Sequence, residues 1–461
     1  MSLLFDMLDR IAGIGALPAD VERCASNHIL DIVGVGAASA TTRMGIPWLR
    51  YAAGVVRPDG AATVIGAGGG ADPAEAALIN GGLMHSLEYD DTHTGAIAHG
   101  SAVLAGAALA VGEAEGRSGR EILDAYAIWY EVLIRMGLSA AGGFQARGFQ
   151  FTAIGGALCA AGIAAQLRGL SRDETAAAVG IALSQASGVF AFLSNGATVK
   201  SMHPGWAAHS GIKAAALAAA GITGPDKPFD DTYGLFRVFA DSPDGAARFA
   251  GHLSDLGGRW HLRDVAFKFL PCCHYIHPFV EAAKLLLPDP VASTSIVGMV
   301  FRVPEAAAPI VCEPWEERCR AQGHAARWSL PVVTAMQICD GQVTLDSFDG
   351  PVGSDVLDLA RRSRWLPLEN SNFPTRFEAD LEIELDTGET RRKFVEDVYG
   401  NASRAPSDSD IRKKFDDNMS RSLDPDTVSA LAGALTGIGH ETDTRAIARY
   451  LRKMTPREGS Q

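Results

Sequence analysis

The stretch "DPAEAALINGGLMHSLEYDDTHTGAIAHGSAVLAGAALAVGEAEG", residues 72–116, decides how this chain is read. It opens on Asp72-Pro73, an N-cap side chain followed by a residue suited to the first helical turn. It closes on "SAVLAGAALAVGEAEG", 101–116, a helix of small residues. Between them lies "HSLEYDDTHTGAIAHGS", 85–101, with three histidines, three carboxylates and two threonines in seventeen residues. If the first helix runs on, spacings of 3, 4 and 7 put His85, Glu88 and Thr92 on one face. His99 follows a glycine-containing turn and precedes the next helix. The stretch predicts close-packed helices with a polar island at their ends. A satisfied polar helix end is the plainer account of the island, above all for His93.

Residues 1–266 continue in this texture. "ADVERCASNHILDIVGVGAASA" has apolar residues at helical spacing. "SGREILDAYAIWYEVLIRMGLSA" begins with Ser118 and has Glu121 three residues on, a capping box. Glu131 and Arg135 on the same helix are an i,i+4 pair. Near 267 the texture changes. "SIVGMVFRVPE" is β-branched, and "RFEADLEIELDTGETRRKFVEDV" alternates Phe377, Ala379, Leu381, Ile383 and Leu385 before a turn at Asp386-Thr387-Gly388, a hairpin pattern. Helical text returns after Pro406. The expected architecture is mainly α: a large all-helical domain, 1–266 plus 398–461, and a smaller α+β domain, 267–397.

Composition narrows the function. The 461 residues are 47% hydrophobic and 21% charged, with a net charge of −13 and no basic run, which argues against a nucleic-acid partner. An acidic substrate would need a locally positive site, so each Lys, Arg or His in a cleft matters. The seven cysteines are scattered and predict neither a disulfide framework nor a zinc repeat. The first twenty residues lack a basic segment before an apolar run and do not read as a signal peptide. "FTAIGGALCAAGIAAQL" reads as a buried core helix rather than a membrane span. The expected setting is cytoplasmic.

Three further polar islands interrupt the apolar text. "GFQARGFQFTA", 143–153, carries Arg147, suited to carboxylate binding, and Gln150; a surface loop is the plainer reading. "NGATVKSMHPGWAAHSG", 195–211, places Lys200 and His203 where a loop enters a helix, with Gly196 and Gly205 allowing close approach. Helix N-termini attract anions, though a solvated lysine is the default for Lys200 alone. "KFLPCCHYIHPF", 268–279, holds Lys268, His274 and His277; no CxxC or HExxH partner supports a metal there. With no phosphate loop, dinucleotide fingerprint or GxSxG elbow, these residues suit proton abstraction beside a carboxylate.

"NGGLMHSLEYDDTH", "HGSAVLAGAALAVGE", "YEVLIRMG", "GFQFTAIGGALCAAGIAAQLRGL", "ALSQASG", "KSMHPGWAAHSGIKAAALAAAGITGP", "KFLPCCHYIHPFVEAA" and "ARWSLPVVTAMQICDG" follow one another in the order found in the MmgE/PrpD family, which the chain resembles over most of its length. That family includes 2-methylcitrate dehydratase, cis-aconitate decarboxylase and iminodisuccinate epimerase. The resemblance implies a helical domain with an α+β lid, a homodimer, a cleft between domains and no metal or organic cofactor. Matched residue by residue, the family's site becomes Glu88, Thr92, His99, Gln150, Lys200 and His277, with Asp91 as the second acid of an Asp-Asp pair and His203 following the Lys. Glu88 stands where Asp is usual. The Thr92–His99 spacing is one residue longer than in the decarboxylase. Gln150 replaces a His, and Val332 lies near a position where the decarboxylase has Tyr.

The expected activity is a lyase acting beside a carboxylate, foremost dehydration of a hydroxy di- or tricarboxylate. Decarboxylation, epimerisation and a non-catalytic carboxylate-binding role are the alternatives. In the leading reading His99 is general base or acid, Lys200 holds substrate carboxylate and His277 is the partner acid. Glu88 and Asp91 orient His99 or Lys200, while Thr92, Gln150, His203, Arg147 and Lys268 bind substrate.

Overall fold

A computed structural model describes residues 2–140, 142–194, 197–230 and 232–454; Gly196 lies outside the described residues. Backbone contacts divide the chain into two units. One comprises Met1–Ser86, Asp90–Phe267 and Ser407–Gln461, the other Leu87–Tyr89 and Lys268–Pro406. The chain is mainly α.

The first unit is built on long helices, including Ala19–Ala40, Pro73–His85, Gly100–Ala114, Gly119–Ala140, Phe151–Arg168 and Met202–Ala219. Their caps follow from the sequence. Asp72 accepts from Ala74 N at 3.1 Å, and Ser118 and Glu121 bond reciprocally. Glu131 and Arg135 pair at 2.9 Å with both side chains fully buried. Small residues let these helices touch at backbone distance. A Cβ on Gly205 would fall 2.1 Å from Leu78 O, and one on Gly81 would fall 2.7 Å from Gly205 Cα. That approach fixes the start of Met202–Ala219 against Pro73–His85. Helix Phe151–Arg168 is long and apolar enough to cross a membrane, but 89% of its apolar window is buried inside the protein, as befits a core helix. Helix Asp408–Met419 packs on Ala19–Ala40, where buried Lys414 meets Asp31 at 2.8 Å.

The all-helical expectation needs one correction for this unit. Ala62–Val64 and Gly69–Ala71 form a two-stranded antiparallel ribbon, with Ala62 opposite Ala71. Gly66 and Gly68 turn the chain with φ of +75° and +69°, a conformation glycine adopts without a Cβ penalty.

The second unit holds a four-stranded sheet in the order Ser363–Pro367, Ile296–Val303, Ala379–Leu385, Thr390–Val395. The first pair is parallel and the others antiparallel. Ala379, Leu381 and Ile383 are buried, as period-two alternation requires, and Gly388 takes the turn at φ +82°. Helices His277–Leu286 and Leu330–Asp340 contribute to the same hydrophobic core. All seven cysteines are free thiols, and adjacent Cys272 and Cys273 are both buried.

Candidate active site

Helix Pro73–His85 stops at His85, and Ser86 is its C-cap. The expectation that His85, Glu88 and Thr92 share a helical face is therefore corrected. Glu88 sits in the left-handed region at φ +52°, and the chain beyond it is held by pairing instead. Thr92 and Ala266 exchange backbone hydrogen bonds at 3.0 and 2.8 Å. His93 N donates to Ala98 O at 2.9 Å. This tight loop delivers His99 to the N-cap of helix Gly100–Ala114.

His99 Nδ1 lies 2.8 Å from the carbonyl oxygen of Asp91 and 3.0 Å from Thr92 Oγ1. A carbonyl oxygen only accepts, so Nδ1 carries a proton, and in the neutral ring the lone pair falls to Nε2. Thr152 Oγ1 accepts from the His99 backbone N–H at 3.0 Å. The Asp90 carboxylate lies 3.9 Å from His99 Nδ1. It is fully buried, whereas the His99 side chain keeps 16% exposure, enough to meet a small molecule.

The Asp91 carboxylate points away from that ring. It accepts from Ser101 N at 3.2 Å, from Ser101 Oγ, and from Tyr130 Oη at 2.8 Å. His28 Nδ1 lies 3.3 Å from it. Burial outweighs these donors and raises the Asp91 pKa to about 7. Asp91 thus acts on His99 through its main chain, with its side chain anchored deeper in the fold.

A second chain of hydrogen bonds runs beside His99. His85 Nδ1 donates to Asp90 Oδ2 at 2.6 Å. Gln150 Nε2 is 3.2 Å from His85 Nε2, and Gln150 Oε1 is 2.5 Å from His203 Nδ1. The donors run in one direction, from His203 through Gln150 and His85 to Asp90. Burial, followed by the charges of His85 and Lys200, lowers the His203 pKa to about 4. Lys200 occupies the short turn Thr198–Ser201 and is half-buried.

The first unit thus brings together Asp91, Thr92, His99, Gln150 and His203, with Lys200 electrostatically coupled to His203. Arg147 is exposed, and among the described residues no hydrogen bond or ion pair joins it to this set. The second unit carries Glu88, Lys268 and His277. Lys268 Nζ donates to Glu88 O at 3.4 Å and lies 4.0 Å from Glu88 Oε2, both side chains being buried. Glu88 is therefore the partner of Lys268. His277 Nε2 lies 3.3 Å from Cys272 O, and its ring meets His274 edge-on at 4.9 Å. Val332 is buried in helix Leu330–Asp340 and offers no hydroxyl.

Two family models match the chain, the MmgE/PrpD N-terminal domain over residues 12–247 and the MmgE/PrpD C-terminal domain over 270–434. The chain belongs to the MmgE/PrpD family. It is 28% identical to a cis-aconitate decarboxylase-like protein, oryM, of Aspergillus oryzae, over 93% of this chain and 92% of that protein. It is 28% identical to the cis-aconitate decarboxylase of Mus musculus, over 95% and 91%. It is 27% identical to that of Homo sapiens, over 96% and 93%.

Several residues around this MmgE/PrpD site were absent from the sequence-based set. Asp90 and the donor role of His85 depend on where the helix ends. Tyr130 and His28 come from distant helices, and no local signal marks them. Arg327, fully buried, donates to Leu87 O at 2.9 Å and Pro271 O at 2.6 Å and fastens Leu87–Tyr89 into the second unit. The adjacent acids Asp90-Asp91 were the readable hint, because two buried carboxylates each require donors.

Proposed function

We propose that this chain is a lyase acting on the carbon beside a carboxylate, with His99 Nε2 taking or giving the proton. The observation that carries this reading is the hydrogen bond from His99 Nδ1 to the Asp91 carbonyl, which sets the tautomer a general base requires. The buried charge of Asp90, 3.9 Å away, favours the imidazolium formed when His99 accepts a proton. Lys200 binds a substrate carboxylate and stabilises the enolate-like charge. Roles for Glu88 and His277, and a homodimer, rest on the motif match alone; a role for Lys268 rests on its place in the polar stretch 268–279, and a cytoplasmic setting on the cysteine usage and N-terminal text.

Dehydration of a hydroxy di- or tricarboxylate is the leading reaction. His99 removes the α-proton, the electrons of the broken C–H bond form the new double bond, and the β-hydroxyl takes that proton from the His99 imidazolium as its C–O bond breaks, leaving as water. Decarboxylation is the second reading, favoured by the relatives named cis-aconitate decarboxylase. There the electrons released with CO₂ are taken up next to the remaining carboxylate and His99 protonates the carbon. Gln150 bridges two imidazoles and cannot itself shuttle a proton at neutral pH. It therefore weighs against an epimerase with bases on both faces. Substrate-dependent deuterium incorporation, or release of water or CO₂, tests the proposal. Its absence across carboxylic acids in wild-type protein would overturn it.

A further inference from the structure

Outside the His99 set, a second cluster of titratable side chains lies in the first unit. His93, His261 and Asp264 each present a ligating atom within 4.8 Å of the other two. His93 is 5% exposed. Its Nδ1 accepts from Ala96 N at 3.0 Å, which commits that nitrogen to the loop. Its Nε2 is buried and has no hydrogen-bond partner, a costly arrangement for an imidazole. The His93 and His261 rings meet edge-on, centroids 6.3 Å apart at 84°. Asp264 Oδ2 lies 3.6 Å from His261 Nδ1, and the Asp264 side chain is about half exposed, which opens a route from solvent.

The geometry points to a divalent transition-metal site formed by His93, His261 and Asp264. Two neutral imidazoles and one carboxylate are a donor set that suits Zn²⁺ and its first-row neighbours, with water completing the shell. Ligands about 2.0–2.1 Å from a tetrahedral ion stand about 3.4 Å apart, so the cluster closes by roughly an ångström on binding. The half-exposed Asp264 side chain has the freedom to do this. Glu131 accepts from Leu262 N at 3.0 Å, which holds the backbone beside His261 in place. The Arg259 charge acts on Asp264 and works against a cation, which sets a ceiling on affinity.

The consequence is mechanical. His93 begins the loop that ends at His99, and His261–Asp264 is a short turn just ahead of Ala266, the backbone partner of Thr92. An ion would staple the two segments at a second point and stiffen the loop that carries His99. It takes no part in the proton transfer.

The test uses the full chain, stripped with EDTA and dialysed, with Co²⁺ as a visible probe and Zn²⁺ as competitor. Wild-type protein is expected to take up one equivalent of Co²⁺ with the d–d absorption of a four- or five-coordinate site. Zn²⁺ should displace it and raise the melting temperature. Asp264→Asn, at a half-exposed position, and His261→Gln should each weaken Co²⁺ binding at least tenfold, with circular dichroism reporting their fold. No saturable uptake by wild-type protein overturns the proposal. Wild-type affinity in either variant overturns it too.

Discussion

His99 Nδ1 donates to the main-chain carbonyl of Asp91 across 2.8 Å. Eight residues apart in the chain, the two are brought together by the loop that pairs His93 with Ala98. The bond uses no side-chain charge, so Asp91 is free to bind Ser101 and Tyr130 with its carboxylate. One residue thereby sets a tautomer and anchors the loop that presents it.

Loss of the imidazole should remove most of the activity. His99→Ala and Lys200→Ala are each expected to lower turnover by ~10²-fold or more, the usual weight of general acid–base and charge-stabilising groups. Steady-state rates on the active acid measure this. Wild-type-like turnover in both variants would sink the assignment.

Gln150 should matter to the fold as well as the site, because it satisfies both His85 and His203. Gln150→Leu leaves two buried ring nitrogens unpaired and should cost about 2–4 kcal/mol by denaturant titration. Gln150→His restores the residue of the family motif. A neutral imidazole can donate to His85 and accept from His203, so this variant should stay within about 1 kcal/mol of wild type, since it keeps both bonds. Equal losses for Leu and His would show that the bridge carries no weight.

Stability should fall on the acid side of neutrality. Burial, with a contribution from Lys414, lowers the His28 pKa to about 3, and burial lowers His203 to about 4. Both lie below the unfolded value, so the unfolded chain binds the extra protons, and stability present above pH 6.5 is lost as pH falls toward 4. Asp91, raised to about 7, acts in reverse: it favours the folded state below its unfolded pKa and loses that contribution as pH rises through 7. Two protons against one leave a net slope of about 1.4 kcal/mol per pH unit between pH 4 and 6.5 from these groups. Urea midpoints across that range should rise with pH, and His203→Gln should flatten the rise. An unchanged slope in that variant would contradict the buried neutral His203.

The contact between helices Pro73–His85 and Met202–Ala219 should be intolerant of added volume. Gly205→Ala would set a methyl 2.1 Å from Leu78 O, and overpacking of that kind costs about 1–3 kcal/mol. The melting temperature should drop, and turnover with it, because the same helix start carries His203. A neutral substitution would mean the two helices separate easily.

Much of this architecture is written locally. The Ser118–Glu121 capping box, the Glu131–Arg135 pair and the hairpin at Gly388 each depend on residues a few positions apart, and sequence states them directly. The polar islands stand out against the apolar text by composition, and the family motifs then single out residues within them. What sequence could not supply was long-range: that Glu88 goes with Lys268, that Gln150 bridges two imidazoles, and that His93 faces His261. Each depends on packing between segments tens to more than a hundred residues apart, where periodicity carries no information. The ribbon at Ala62–Ala71 was missed because its strands are three residues long and glycine-rich.

The most direct measurement is proton NMR of the purified protein in D₂O with citrate, 2-methylcitrate, cis-aconitate, malate-type and aspartate-derived acids, each run beside His99→Ala. The account predicts that one acid exchanges a carbon-bound proton or loses water or CO₂ with wild-type protein and not with the variant. Saturable binding of an acid with no chemistry in either protein would contradict it and leave a carboxylate-binding protein in its place.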